Sequence, residues 1–178
     1  SASLDSVVSS GEDGTIVVHS LWGGEYIRTI IPCRLTPSWP SLGWVGLSSA
    51  GYIVSYSQVD ATLRSYSING HPLGVAVVSS AAGPLRAFAF SEDGSVLLSG
   101  GDDRVVTLRW AHSLALADDG GREGCGGAKF GSAIRCLALT AGERHLLVGL
   151  EDGTMGVLAL DANYLRQRLR TKLDQLGF

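Results

Sequence analysis

Short apolar runs, separated by turns built from small and acidic residues, recur along most of the chain. Four segments repeat one phrase, two such runs around a tight turn. They are VVSSGEDGTIVVHSL (7–21), YIVSYSQVDATLRSYSI (52–68), VLLSGGDDRVVTLRW (96–110) and LLVGLEDGTMGVLAL (146–160). Within the phrase, Thr15, Val17 and His19 alternate with Ile16, Val18 and Ser20, the period of two that marks a strand. Apolar residues fall on both faces of "TIVV" and "RVVTL", which predicts central strands covered on each side.

Aligned on the acidic turn residue, the anchors are Asp13, Asp60, Asp102 and Asp152, spaced 47, 42 and 50 residues apart. Periods of about 40 to 50 residues with about four strands each are the signature of a β-propeller, and of WD repeats in particular. In each Asp-Gly-Thr turn the aspartate bonds its own backbone, and Gly14 or Gly153 accepts a positive φ. Leu85–Gly100 reads as an inner strand, a turn at Glu92-Asp93-Gly94 and the next strand. Ile134–Gly149 has the same form, with Gly142-Glu143 at its turn. Ser67–Val78 reads as a hairpin around Asn69-Gly70. Tyr26–Ile31 and Val75–Val78 are expected as outermost strands, and that of the third blade near Leu114–Leu116.

The predicted fold is therefore all-β, a partial WD-type propeller of about three and a half blades over residues 1–160, with blade fragments at about 4–31, 43–78, 85–117 and 134–160. The first blade is expected to start at its second strand, and the last to hold three strands. Bare strand edges and two uncovered blade faces then need a partner. The WD dipeptide is missing: its places hold His19-Ser20, Tyr66-Ser67, Leu108-Arg109 and Leu158-Ala159.

Composition narrows the picture further. Among 178 residues, 45% are apolar and 17% charged, which excludes a disordered chain, and a net charge of −3 gives no general attraction to nucleic acid. Cys33, Cys125 and Cys136 form no C-x-x-C and leave an odd thiol, which suits a reducing, cytoplasmic setting. No secretory leader is expected. Residues 35–59 are long enough to span a bilayer, but Pro37, Pro40 and scattered apolar positions argue against it.

Candidate chemistry is sparse, and the expectation is a non-enzyme without metal or cofactor. The glycine-rich stretch 118–130 fails the phosphate-loop pattern, because Ala128 precedes Lys129 and Phe130 follows it; a long loop between blades is expected there. The acidic pairs Glu12-Asp13, Glu92-Asp93, Asp102-Asp103 and Glu151-Asp152 all fall in repeat turns. His19, His71, His112 and His145 stand too far apart in sequence for a zinc-binding motif. Trp22, Trp39, Trp44 and Trp110 with Tyr26 are the aromatic candidates for recognition. Trp44 and Trp110 read as core, whereas Trp39 in the loop TPSWPS is the candidate partner contact.

Beyond residue 160 the period changes to about 3.6. Leu165, Leu169, Leu173 and Leu176 share one helical face, surrounded by Arg166, Arg168, Arg170 and Lys172. A C-terminal amphipathic helix over 161–178 is expected. It either packs on the propeller rim or docks on a partner or anionic membrane, with Arg166 and Arg170 as contacts.

LDSVVSSGEDGTIVVHSL, GGEYIRTIIP, YSINGHPLG and LLVGLEDGT, in that order and at that spacing, resemble the C-terminal WD-repeat propeller of BEACH-domain proteins, closest to the neurobeachin and LPS-responsive beige-like anchor group. The resemblance implies a large cytosolic scaffold for vesicle traffic, in which a PH-like module and a BEACH domain precede a propeller that binds proteins without catalysis. The partners implied are other proteins, the remaining blades and the BEACH domain. Association with endomembranes would be peripheral. Alternatives are a WD adaptor of another complex, such as a ubiquitin-ligase substrate receptor or a coat subunit, and phosphoinositide binding through the basic helix. The F-R-R-G motif of phosphoinositide-reading propellers does not occur.

Overall fold

The structure, a computed structural model, describes residues 1–31, 42–78, 83–117 and 128–160. Those residues form four antiparallel sheets in chain order, here blades 1 to 4. Blade 1 holds β1 (Ser6–Ser10), β2 (Ile16–Ser20) and β3 (Tyr26–Ile30). Blade 2 holds β4 (Leu42–Leu47), β5 (Tyr52–Ser57), β6 (Thr62–Ser67) and β7 (Pro72–Val77). Blade 3 holds β8 (Leu85–Phe90), β9 (Val96–Gly101), β10 (Val105–Trp110) and β11 (Ala128–Lys129), and blade 4 holds β12 (Ile134–Leu139), β13 (His145–Leu150) and β14 (Met155–Ala159).

Successive residues of a strand point to opposite faces, and here both faces are buried against neighbours. On β5, Ile53 joins Ile16, Val18 and Ile30 of blade 1, while Val54 joins Leu85, Leu97 and Leu114 of blade 3. On β9, Leu97 faces blade 2, while Leu98 meets Ile134, Leu146 and Val148 of blade 4. Each such fully buried Val, Leu or Ile contributes about 1.5–3 kcal/mol. β5 and β9 are accordingly the most buried strands.

Polar contacts join the blades where the sheets end. The Ser65 hydroxyl donates to the Ala111 carbonyl at 2.6 Å, and the Leu85 amide to the Tyr56 hydroxyl at 3.2 Å. Ser49 donates to the Glu92 carbonyl at 2.8 Å, and the Glu92 amide donates to the Glu143 carboxylate, so one row of turns is linked from blade 2 to blade 4.

β1 lies against β4 as β9 lies against β12, which puts β1 in the place of a second strand. Two sequence expectations change. The outer edge of blade 3 starts where it is expected but is interrupted: Leu114 is a buried core residue with φ +57, residues 115–117 pair with β10 through the Arg109–Leu116 bridge and the flanking Trp110–Ala115 and Ala117–Leu108 backbone bonds, and β11 takes up the same edge opposite Val105 and Val106. The repeat register of blade 3 also moves by one residue. Asp103, not Asp102, bonds the amide two positions on and precedes a left-handed residue, Arg104 at φ +64. The dipeptide at the WD place in that blade is then Arg109-Trp110. The expected C-terminal helix over 161–178 lies outside the described residues.

Candidate functional site

The turns, the rim and the outward faces of blades 1 and 4 are the surfaces that carry distinctive chemistry. In the β1–β2 turn, Asp13 Oδ1 accepts the Thr15 amide at 3.0 Å and its hydroxyl at 2.8 Å. Asp152 Oδ1 accepts the same pair from Thr154 at 2.9 and 2.6 Å. Asp93, in the β8–β9 turn, accepts the Ser95 amide at 3.0 Å and the Ser91 hydroxyl at 2.6 Å. Asp60 pairs with Arg64 at 2.7 Å. Each is followed by a left-handed residue: Gly14, Gly153, Gly94 and, in blade 2, Ala61.

These bonds favour the ionised carboxylates. The Thr15 amide and then its hydroxyl hold Asp13 below the ordinary carboxylate range, and the Thr154 hydroxyl and then its amide do so for Asp152. Partial burial pushes Asp60 and Asp93 upward. Arg64 with Ser57 outweighs it at Asp60, and Ser91 with Ser95 at Asp93, so both are lowered on balance. Such carboxylates are fixed acceptors, ill-suited to proton transfer near neutrality.

Asp102 does something else. It pairs with Arg86 at 3.5 Å and with Arg135 of blade 4 at 3.2 Å, and Arg135 also pairs with Glu151. Both arginines are the extra residue of a β-bulge, where the inner strand shifts register between Leu85 and Ala87 and between Ile134 and Cys136. The bulge re-aims each arginine to the blade rim. Blade 2 has Gly43 at that place, and its register shifts there too. Sequence reading missed this ladder, because a bulge leaves no mark in a period-two pattern.

Apolar side chains stand open on both outward faces, among Ser9, His19 and Thr29 on blade 1. Val7 on blade 1 and Met155 and Val157 on blade 4 are exposed, and Cys136 is an exposed free thiol on the same face of blade 4. Of the aromatic candidates, Trp44 stacks on Phe88 at 4.2 Å between blades 2 and 3, and Trp110 packs against the core of blades 3 and 4. Trp22 is 80% exposed at the tip of the β2–β3 loop. Trp39, Arg166 and Arg170 lie outside the described residues.

No cluster of three or more metal-ligating side chains occurs among the described residues, and no helix there is long and apolar enough to cross a membrane.

Four antiparallel sheets packed face to face in chain order, each with an aspartate followed by a left-handed residue at the equivalent turn, define a WD-type β-propeller region. The model of the neurobeachin β-propeller domain matches residues 1–168, and the chain belongs to that family. BEACH domain-containing protein B of Arabidopsis thaliana is 32% identical over 161 residues, which cover 90% of this chain and 6% of that protein. The chain thus spans a small part of that curated relative's length. Among solved structures, the computationally designed Ika4 protein superposes with a TM-score of 0.63 at 22% identity, covering 88% of this chain and 86% of that one, a likeness of fold alone.

Proposed function

We propose that the chain is a non-catalytic protein-interaction module within a larger BEACH-family scaffold acting in vesicle traffic. The observation that carries this reading is the pair of outward blade faces. Val7 and Met155 are exposed at places where blades 2 and 3 hold buried Ile53 and Leu97, and Leu63 and Val106, with exposed Val157 beside Met155, and such faces are built for cover by protein. Further blades of the longer chain supply that cover, and loops on the closed ring bind partners. Its bounds are residues 1–160 for the propeller region and 161–178 for a basic helical extension, with a cytoplasmic location, peripheral to endomembranes. Asp13, Asp60, Asp93, Asp102 and Asp152 are committed to turns and ion pairs, which supports binding as the work of the surface.

Sedimentation velocity with a thermal melt tests this. The chain alone is expected to self-associate or melt broadly, and to sediment as a monomer with a sharp melt once joined to the neighbouring sequence. A cooperative monomer from the isolated chain would overturn the requirement for further blades. Loss of cargo sorting on deleting residues 1–160 from the scaffold tests the trafficking role; unchanged sorting would refute it.

A further inference from the structure

The exposure of Trp22 has a different origin from that of Val7 or Met155. The corresponding loop-tip residues in the flanked blades 2 and 3, Asn69 and His112, are exposed as well. A neighbouring blade therefore leaves this position open. Yet the loop that lifts the indole into water is tied down by successive amides, from Ser20 to Gly24. The Ser20 amide donates to the Glu25 carbonyl at 2.8 Å and the Leu21 amide to the Asp5 carbonyl at 3.1 Å. The Trp22 amide donates to Asp5 Oδ1 at 2.9 Å, and the Gly23 amide to the Ser20 hydroxyl at 3.1 Å. The Gly24 amide donates to the Ser20 carbonyl at 3.1 Å, and the Ser20 hydroxyl donates in turn to Asp5 Oδ2 at 3.0 Å. Asp5 itself sits at φ +45 and Gly24 at φ +67. The result is a rigid pedestal, so a partner that meets Trp22 loses little conformational entropy in ordering it.

The surroundings select the partner's chemistry. Exposed Tyr26 opens β3 where the loop ends, edge-on to His19 at 6.0 Å. The Glu25 side chain lies over Gly23, where a Cβ would be 3.5 Å from its Cγ. Asp5 lies under the loop. Among residues 1–31 the only lysine or arginine is Arg28, whose guanidinium is turned to the Asn69 carbonyl of blade 2. Negative ring faces flanked by two carboxylates attract a cation.

We infer that the Trp22 loop is a recognition site for a partner-protein segment that lays an arginine or lysine side chain on the indole, beside an apolar residue that meets Leu21 or Tyr26. This deepens the interaction-module reading and rests on it, but its test reads the loop alone, whereas that reading is decided by the sedimentation result.

The test is fluorescence anisotropy of a labelled Gly-Leu-Arg-Leu-Arg-Gly peptide against the chain joined to its neighbouring sequence, with Gly-Leu-Gln-Leu-Gln-Gly as control. Saturable binding of the arginine peptide is expected, weakened about tenfold by Trp22→Ala and about threefold by Glu25→Gln, with the glutamine peptide at least about tenfold weaker. Both substituted side chains are exposed, and neither is a donor or acceptor in the pedestal, so the fold is unaffected. No binding, equal binding of the two peptides, or indifference to Trp22→Ala would each overturn the inference.

Discussion

Blades 3 and 4 carry nearly the same side chains on the face that each turns toward the next blade. In blade 3 one row pairs Ala87 with Gly100 beside Val106, and the next runs Ala89, Leu98, Leu108. In blade 4 the rows are Cys136, Gly149, Met155 and Ala138, Leu147, Val157. Their surroundings differ entirely. Val106 is 1% exposed and Met155 66%; Leu98 is 2% exposed and its counterpart Leu147 half-buried. Strand pattern and turn chemistry are local properties that each blade carries with it. Cover is supplied by a neighbour, and blade 3 has Ile134, Leu146 and Val148 against it. Gly100 makes room for that contact, since a Cβ there would lie 2.9 Å from Ile134. The blade 4 face thus has the composition of a covered face and the exposure of an open one.

The largest expected contrast comes from equivalent truncations. Leu98→Ala removes a buried side chain and should cost about 2–5 kcal/mol in urea unfolding. Leu147→Ala, at the same place in blade 4, should cost less than about half of that in the chain alone, and approach it once a further blade is joined. Equal costs in the chain alone would erase the distinction.

The turns offer a contrast of opposite sign. Gly153 stands at φ +83, so Gly153→Ala should destabilise by about 1 kcal/mol. Arg104 occupies the matching place in blade 3 at φ +64 with a Cβ, so Arg104→Gly should stabilise by up to about 1 kcal/mol, less the entropy that glycine adds to the unfolded chain. Thermal melts of the two variants check the signs.

Acid comes next. Asp13, Asp60, Asp93 and Asp152 are all held below their ordinary value of 3.8. Unfolding therefore raises these pKa values, and the unfolded chain binds protons first as the pH falls. The stability is complete above about pH 5 and is lost progressively on acidification toward and through the folded-state values. Asp93→Asn should lower stability at neutral pH and flatten that acid limb, so that variant and parent converge at low pH. The smallest effect belongs to the exposed ladder. Arg135→Gln should loosen blade 4 from blade 3 at low salt and become indistinguishable from the parent near 1 M salt, where screening acts within about 3 Å.

How much of this was legible in the sequence follows from the same division. Asp-Gly-Thr marks its turn by residue type alone, so the hairpins of blades 1 and 4 could be placed without a structure. Blade 3 misled twice. Adjacent Asp102 and Asp103, with arginine where glycine is expected, left the register open by one, and only the Asp103–Val105 bond decides it. Leu114 looked like strand because it is apolar, whereas it is a core residue of the turn before a short outer pairing at Leu116, and β11 resumes that edge further along the chain. Trp22 and Trp44 are one residue type with opposite fates. The Asp5 pedestal that separates them spans 17 positions, a distance that no local pattern reports.

Cys136 offers the most direct test of the outward face of blade 4, because its counterpart in blade 3 is buried Ala87. With Cys33 and Cys125 replaced by serine, the rate of maleimide labelling at Cys136 would be compared between the chain alone and the chain within its larger scaffold. Rapid labelling alone and labelling slowed about a hundredfold or more in the scaffold is the expected result, since a thiol at a packed blade interface reacts only when the interface opens. Equal rates in the two settings would contradict an interface at this face.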